Sequence, residues 1–243
     1  SSRESSNSSS VSTLSRSTSF RSPAEATVMA VSMVKIAVPS TLQQSIVHIG
    51  ILLVQSVINS FGSTAIAGYS AGMRIESLSI VPMLAMGNAM STFTAQNMGA
   101  GKIDRVKEGY RMCYVIVLTA GAVLCVMYQL AGGAFVSLFL DSGSSEAYSV
   151  GLSYVKFLSF FYSFIGLKAS TDGLLRGAGD VTAFTVANLV NLAIRVSVTN
   201  LFAPIYGIQV AWMAVPLGWA ANYVISFGWY LTGKWKKVRV IKK

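Results

Sequence analysis

The chain has 243 residues, of which 53% are hydrophobic and only 12% charged, with a mean hydropathy of +0.57. A soluble domain of this length carries about twice that charged fraction. The formal charge of +10 does not point to nucleic acid: six of the 19 Lys and Arg fall between Lys234 and Lys243, and most others sit in short connections between apolar runs. No basic groove with interleaved aromatics is visible, so no nucleic-acid partner is expected.

In chain order, residues 1–22 hold twelve serines and three arginines and lack an apolar core. They do not resemble a secretory signal, and residues 1–27 read as a disordered Ser-rich tail. The first residue is not methionine, which suggests a fragment. Residues 28–36 could lie along a membrane surface ahead of Pro39. Six apolar runs then approach the roughly 20 residues needed to cross a bilayer: 37–61, 66–98, 109–132, 146–175, 180–203 and 207–232. The expected fold is therefore all-α, a polytopic membrane protein with six transmembrane helices in one lobe over 28–233, followed by a basic tail at 234–243. Pro82 and Pro216 are expected kink sites, because proline removes one backbone bond and crowds the preceding turn.

The loops give an orientation. One side would carry Lys35, Lys102, Arg105, Lys107, Arg111, Arg176 and the basic C-terminus, whereas loops 61–65, 133–146 and 203–207 contain no Lys or Arg. The positive-inside rule then places both termini in the cytoplasm, with the protein multi-pass in the plasma (inner) membrane. The Gly-Ala-Gly turns at Gly99-Ala100-Gly101 and Gly177-Ala178-Gly179 form a repeat. Both read as helix caps rather than phosphate loops, since neither continues as G-x-x-x-x-G-K-[ST]. Cys113 and Cys125 lie about 18 Å apart along one helix, too far for a disulfide. With a single histidine, no metal site is expected.

Ionisable groups inside such helices cost roughly 2.5–3.5 kcal/mol at mid-bilayer on insertion scales, and so face cavities or partners. Gln44, His48, Gln55 and Asn59 fall on one stripe of the first run. Asn188, Asn191, Arg195 and Thr199 repeat the pattern in the fifth. Gln44, His48, Gln55, Asn59, Asn188, Asn191 and Arg195 are the candidate substrate-cavity residues, with interhelical glue as the competing reading. Glu76 has no charged residue three or four positions away and is the candidate for ion coupling, expected to pair with Arg195, Lys156 or Arg74. A static ion pair is its alternative role. Lys168, Asp172 and Arg176 recur every four residues and read as a solvated or snorkelling ladder. Met83, Met86, Met90 and Met98 suit either a cavity wall or the core.

The run Arg74-Ile75-Glu76-Ser77 through Pro82 and Gly87-Asn88-Ala89 to Gln96-Asn97-Met98-Gly99-Ala100-Gly101 resembles the second helix of a lobe in the multidrug and toxic compound extrusion (MATE) family. Leu175-Arg176-Gly177-Ala178-Gly179-Asp180 resembles that family's turn between the fourth and fifth helices, and the likeness extends over about residues 28–235. It implies the C-terminal six-helix lobe of a secondary antiporter that exports organic, often cationic, drugs or metabolites in exchange for protons or sodium. No cofactor is implied beyond that coupling ion. The implied partners are membrane lipid, a small organic substrate, and a second six-helix lobe or another copy of the chain.

The likeness has departures. Some relatives carry acidic residues inside the first and fourth helices of this lobe. Here the first run offers only Gln43, Gln44 and His48, and Asp172 in the fourth lies near a turn, which departs from a sodium site of that kind. A flippase for lipid-linked precursors within the same superfamily, favoured by Arg74, Lys156, Lys168 and Arg195, and a non-transporting remnant or scaffold are the alternative readings. An intramembrane enzyme is disfavoured, because His-Glu-x-x-His, Gly-x-Ser-x-Gly and helically spaced Asp pairs are all missing from the sequence.

Overall fold

A computed structural model describes residues 45–141 and 146–237. The Ser-rich tail, residues 28–36, Lys35, Gln43, Gln44 and the last six residues lie outside the described residues. Among the described residues there is no strand. Seven helices follow one another: α1 Ser45–Asn59, α2 Ser63–Gly99, α3 Ile103–Ser137, α4 Glu146–Ser159, α5 Tyr162–Gly177, α6 Val181–Tyr206 and α7 Gln209–Leu231, closed by a 3-10 turn at Lys234–Lys237. Four of them (α2, α3, α6 and α7) are long and apolar enough to cross a membrane, and α4 with α5 makes a fifth span if the bent pair counts as one. The chain is thus a multi-pass helical membrane protein. Large apolar side chains such as Leu130 (83% exposed), Leu138 (74%) and Leu52 (67%) point outward, as lipid rather than water permits.

The single span expected over 146–175 is instead two helices bent by 54° at Phe160–Phe161. A break inside a membrane leaves backbone groups that must find partners within the protein. Here the Lys156 carbonyl, in the last turn of α4, accepts from Gln129 Nε2 of α3 at 2.9 Å and from Ser159 Oγ at 2.7 Å. Gln129 Nε2 also donates to Ser159 Oγ at 2.9 Å. Pro82, by contrast, does not interrupt α2. Pro82 and Leu78, whose carbonyl the proline cannot pair, both lie on the exposed face, where the lost bond disturbs no neighbour.

Helix α5 is central: every residue from Ala169 to Leu175 is buried, and the helix packs on α2, α3 and α7, while α6 pairs with α7. Small residues set the α2–α5 spacing. A Cβ on Gly173 would stand 2.1 Å from the Gly87 carbonyl oxygen, and one on Gly177 would stand 2.2 Å from that of Ser91. Such contacts let backbones approach where lipid supplies no hydrophobic drive. Met83 and Met90 lie on the same seam as core residues, 1% and 3% exposed.

Both Gly-Ala-Gly turns cap their helices in the same way. Lys102 N bonds to Asn97 O at 2.8 Å and Asp180 N to Leu175 O at 2.9 Å, with Gly101 and Gly179 at φ 70° and 83°. This is the Schellman pattern, whose left-handed residue favours glycine. Beyond the second turn, Asp180 accepts from Ala183 N at 3.4 Å and from Trp229 Nε1 at 2.6 Å, so one side chain holds the start of α6 and the end of α7. Lys107 and Arg111 act electrostatically on Tyr230, and Lys236 on Asp104, so these basic residues gather at one end of the helices.

The α2–α5 seam has a direct test. Gly173→Val should lower the thermal stability of the detergent-solubilised protein by about 1–3 kcal/mol through overpacking. Gly99→Ala, at a position with nothing within 4 Å, should change it by less than about 0.5 kcal/mol. Equal melting shifts for the two variants would contradict this packing.

Candidate functional site

Two polar centres lie inside the helices. The first forms on α2, where Gly72 and Glu76 are one turn apart on the same face. Tyr154 of α4 lies over Gly72, where a Cβ would stand 2.6 Å from its ring, and its hydroxyl donates to Glu76 Oε2. Glu76 is 9% exposed. Tyr69 meets Tyr154 edge-on at 5.3 Å between centroids, and Trp212 of α7 closes the other side at 5.6 Å. One turn along α2, Ser79 Oγ shares a hydrogen bond of 2.6 Å with Tyr128 OH of α3.

Glu76 therefore does not form the ion pair expected with Arg195, Lys156 or Arg74; its bonded partner is a tyrosine hydroxyl. Arg74, two residues away, is exposed on another face. The charge of Arg195 nevertheless acts on Glu76, Tyr154 and Tyr69, and the Arg195 Cγ lies against Gly218 of α7.

The second centre corrects the ladder reading. Lys168 and Asp172 are not solvated: their side chains are 13% and 5% exposed and their ion pair spans 3.0 Å. Asp172 Oδ1 accepts from Ser226 Oγ of α7 at 2.6 Å, and Lys168 Nζ also donates to Asn188 Oδ1 of α6 at 3.2 Å. Asn188 Nδ2 returns a longer bond of 3.4 Å to Asp172 Oδ2. Arg176 leaves the ladder altogether, donating to Asn88 of α2 at 2.8 Å and standing over the Phe184 ring. Next to this centre, Tyr114 OH of α3 contacts Thr171 Oγ1 of α5 at 2.8 Å and Tyr223 of α7 at 3.3 Å.

The candidate cavity residues divide between faces. Asn188, Asn191 and Arg195 of α6 line a cleft of about 100 Å3, opposite Val47, Ile51 and Val54 of α1. His48 and Gln55 sit one residue beyond Val47 and Val54, about 100° around the helix, and Asn59 follows Gln55 by about one turn. Gln55 Nε2 donates to Asn59 Oδ1 at 2.9 Å, and Asn59 and His48 are exposed. The two stripes thus do not meet across one cleft. Gln44 is outside the described residues. Asp172, Ser226 and Tyr154 carry bonds that sequence reasoning missed. The signal for Asp172 was its setting among small residues, Ala169-Ser170-Thr171 before it and Gly173 after it, in a helix that other helices approach closely.

A bundle of apolar spans, one broken inside the bundle, with carboxylates buried among tyrosines and amides, is the architecture of a membrane transporter lobe. Residues 39–201 match the MatE family, and the chain belongs to that family. It is 28% identical over 209 residues to the probable multidrug resistance protein YpnP of Bacillus subtilis, covering 86% of this chain and 46% of that protein. It is 20% identical over 220 residues to the probable multidrug resistance protein NorM of Thermotoga maritima, covering 87% and 46%. An outward-facing multidrug resistance MATE family transporter of the MOP superfamily superposes with a TM-score of 0.76 at 16% identity, over 85% of this chain and 46% of that one. The chain thus spans about half the length of these relatives.

The Lys168–Asp172 pair yields a stability prediction. Asp172→Ala should destabilise the protein by about 3–5 kcal/mol, because it strands a buried ammonium. Lys168→Met combined with Asp172→Leu should cost clearly less than Asp172→Ala alone, measured as melting shifts in the same detergent. A double variant at least as unstable as the single one would show that the pair is not the source of the loss.

Proposed function

We propose that the chain works as one lobe of a secondary antiporter that exports organic drugs or metabolites, with a proton bound and released at Glu76. The observation that carries this reading is a carboxylate buried at mid-helix and held by a tyrosine hydroxyl rather than by a cation. An ionisable group at such depth is expensive and marks a pathway or relay. Hard cations gather several oxygen ligands, and the groups around Glu76 are mainly aromatic rings, a setting that favours a proton over sodium. The multidrug resistance names of the relatives support drug export.

The bent α4–α5 pair supports a rocking mechanism. Broken helices at mid-depth are where secondary transporters bind substrate and change shape. The basic end that gathers Lys107, Arg111 and Lys236 supports a cytoplasmic side by the positive-inside rule, and we put both termini on that side of the plasma membrane. A six-helix partner lobe, or a second copy of this chain, would complete the central cavity.

The test is efflux of a fluorescent cationic dye from cells expressing the chain alone and alongside a six-helix N-terminal lobe. Export is expected only with the second lobe, and Glu76→Gln should abolish it, since an amide at that buried position cannot bind and release the proton. Tyr154→Phe, which removes the hydroxyl but keeps the ring, should shift the pH dependence of export. Full export by Glu76→Gln would leave Glu76 as a structural group only.

A further inference from the structure

The cleft between α1 and α6 has a chemistry that neither centre uses. Its α1 wall is apolar: Val47, Ile51 and Val54. Its α6 wall offers Asn188, Asn191 and Arg195. Asn188 is already committed, through Lys168, Asp172 and the Phe184 carbonyl. Asn191 holds its Oδ1 against Gly218, where a Cβ would stand 2.2 Å away, which turns its Nδ2 donor elsewhere. Arg195 donates no hydrogen bond and forms no ion pair among the described residues, and the carboxylate that feels its charge, Glu76, is bonded to Tyr154. The Arg195 guanidinium is left with its donors and a full positive charge, the Asn191 Oδ1 is buried away against α7 without a partner, and no Asp or Glu lines the cleft.

The size narrows the occupant. A volume of about 100 Å3 is well below the 300–1,000 Å3 of sites that enclose whole drug-sized ligands. It fits a compact polar head, with the rest of the molecule outside. A planar guanidinium with parallel N–H groups is matched to carboxylate and phosphate oxygens. An apolar wall of valine and isoleucine opposite suits the first methylenes of a tail.

We propose that this cleft is an anion-headgroup site, in which Arg195 and the Asn191 amide bind the carboxylate or phosphate of an amphiphile whose tail runs out along Ile51. This deepens the export reading by naming the substrate chemistry that this lobe selects, and it departs from the expectation of a purely cationic cargo. The same head chemistry is present on free amphiphiles and on acidic lipids, and the test separates these sources.

The experiment uses the full chain in nanodiscs of neutral phosphatidylcholine, with tritiated decanoate and tritiated decyltrimethylammonium as matched probes in a scintillation proximity assay. Saturable binding of decanoate, at least tenfold tighter than that of the cation, is expected. Arg195→Gln should weaken decanoate binding at least tenfold, Arg195→Lys should retain a saturable signal, and Ile51→Phe, which fills the cleft from the opposite helix, should remove it. Melting curves establish that each variant is folded, and if Arg195→Gln is not, the other two variants decide. Repeating the titration with phosphatidylglycerol in the disc identifies the source. Competition assigns the site to a lipid headgroup, and its absence assigns it to a free amphiphile. Equal binding of both probes, or unchanged decanoate binding in Ile51→Phe, overturns the proposal. Because no transport is measured, failure of dye export leaves this result intact, and the reverse also holds.

Discussion

The reach of Tyr154 to Glu76 depends on what is missing from α2. Gly72 presents no side chain, so the phenol ring settles onto the helix backbone and its hydroxyl arrives at the carboxylate one turn further on. The same absence of side chains recurs along the seam, at Gly68 against Ala147 and at Gly87 against Ala169 and Gly173. Where the surroundings are as apolar as the helices, close approach replaces hydrophobic drive as the source of association. That approach also fixes which polar groups meet. A wider α2–α4 spacing would leave Glu76 without its donor at a depth where an unmet carboxylate is costly.

Much of this was legible in the residues. The number and order of apolar runs, the two Gly-Ala-Gly caps and the gathering of basic residues at one end all follow from local chemistry that acts over a few positions. The partners were not legible. Spacing of four between Lys168 and Asp172 is the same for a solvated surface pair and for a buried one; only the third dimension shows Ser226 and Asn188 closing over it. The bend at Phe160–Phe161 carries neither glycine nor proline, and the group that satisfies it, Gln129, lies on a different helix. Glu76 was marked by its isolation from charges, yet isolation says nothing of a tyrosine 78 positions away.

The two polar centres differ in how their charges are met. Asp172 and Lys168 neutralise each other within one helix and use α6 and α7 to complete their bonds, which ties three helices into one block. Glu76 and Arg195 sit on different helices, feel each other's charge and remain unbonded to each other. Between the two centres, Asn191 Oδ1 and Asn222 Nδ2 are buried with no hydrogen-bond partner. A buried amide group in that condition is costly.

The grip of Asp180 on both the start of α6 and Trp229 has a mechanical side. It pins the α6–α7 hairpin at one end, whereas the opposite turn at Gly207 has a φ of 96° and open space around it. A pair of helices clamped at one end behaves as a lever. Over the length of α7, about 35 Å at 1.5 Å per residue, a tilt of about 5° about the clamp carries the free end through about 3 Å. Arg195, about 22 Å from the clamp, would travel about two-thirds as far, roughly 2 Å, which is the scale of making or breaking one hydrogen bond.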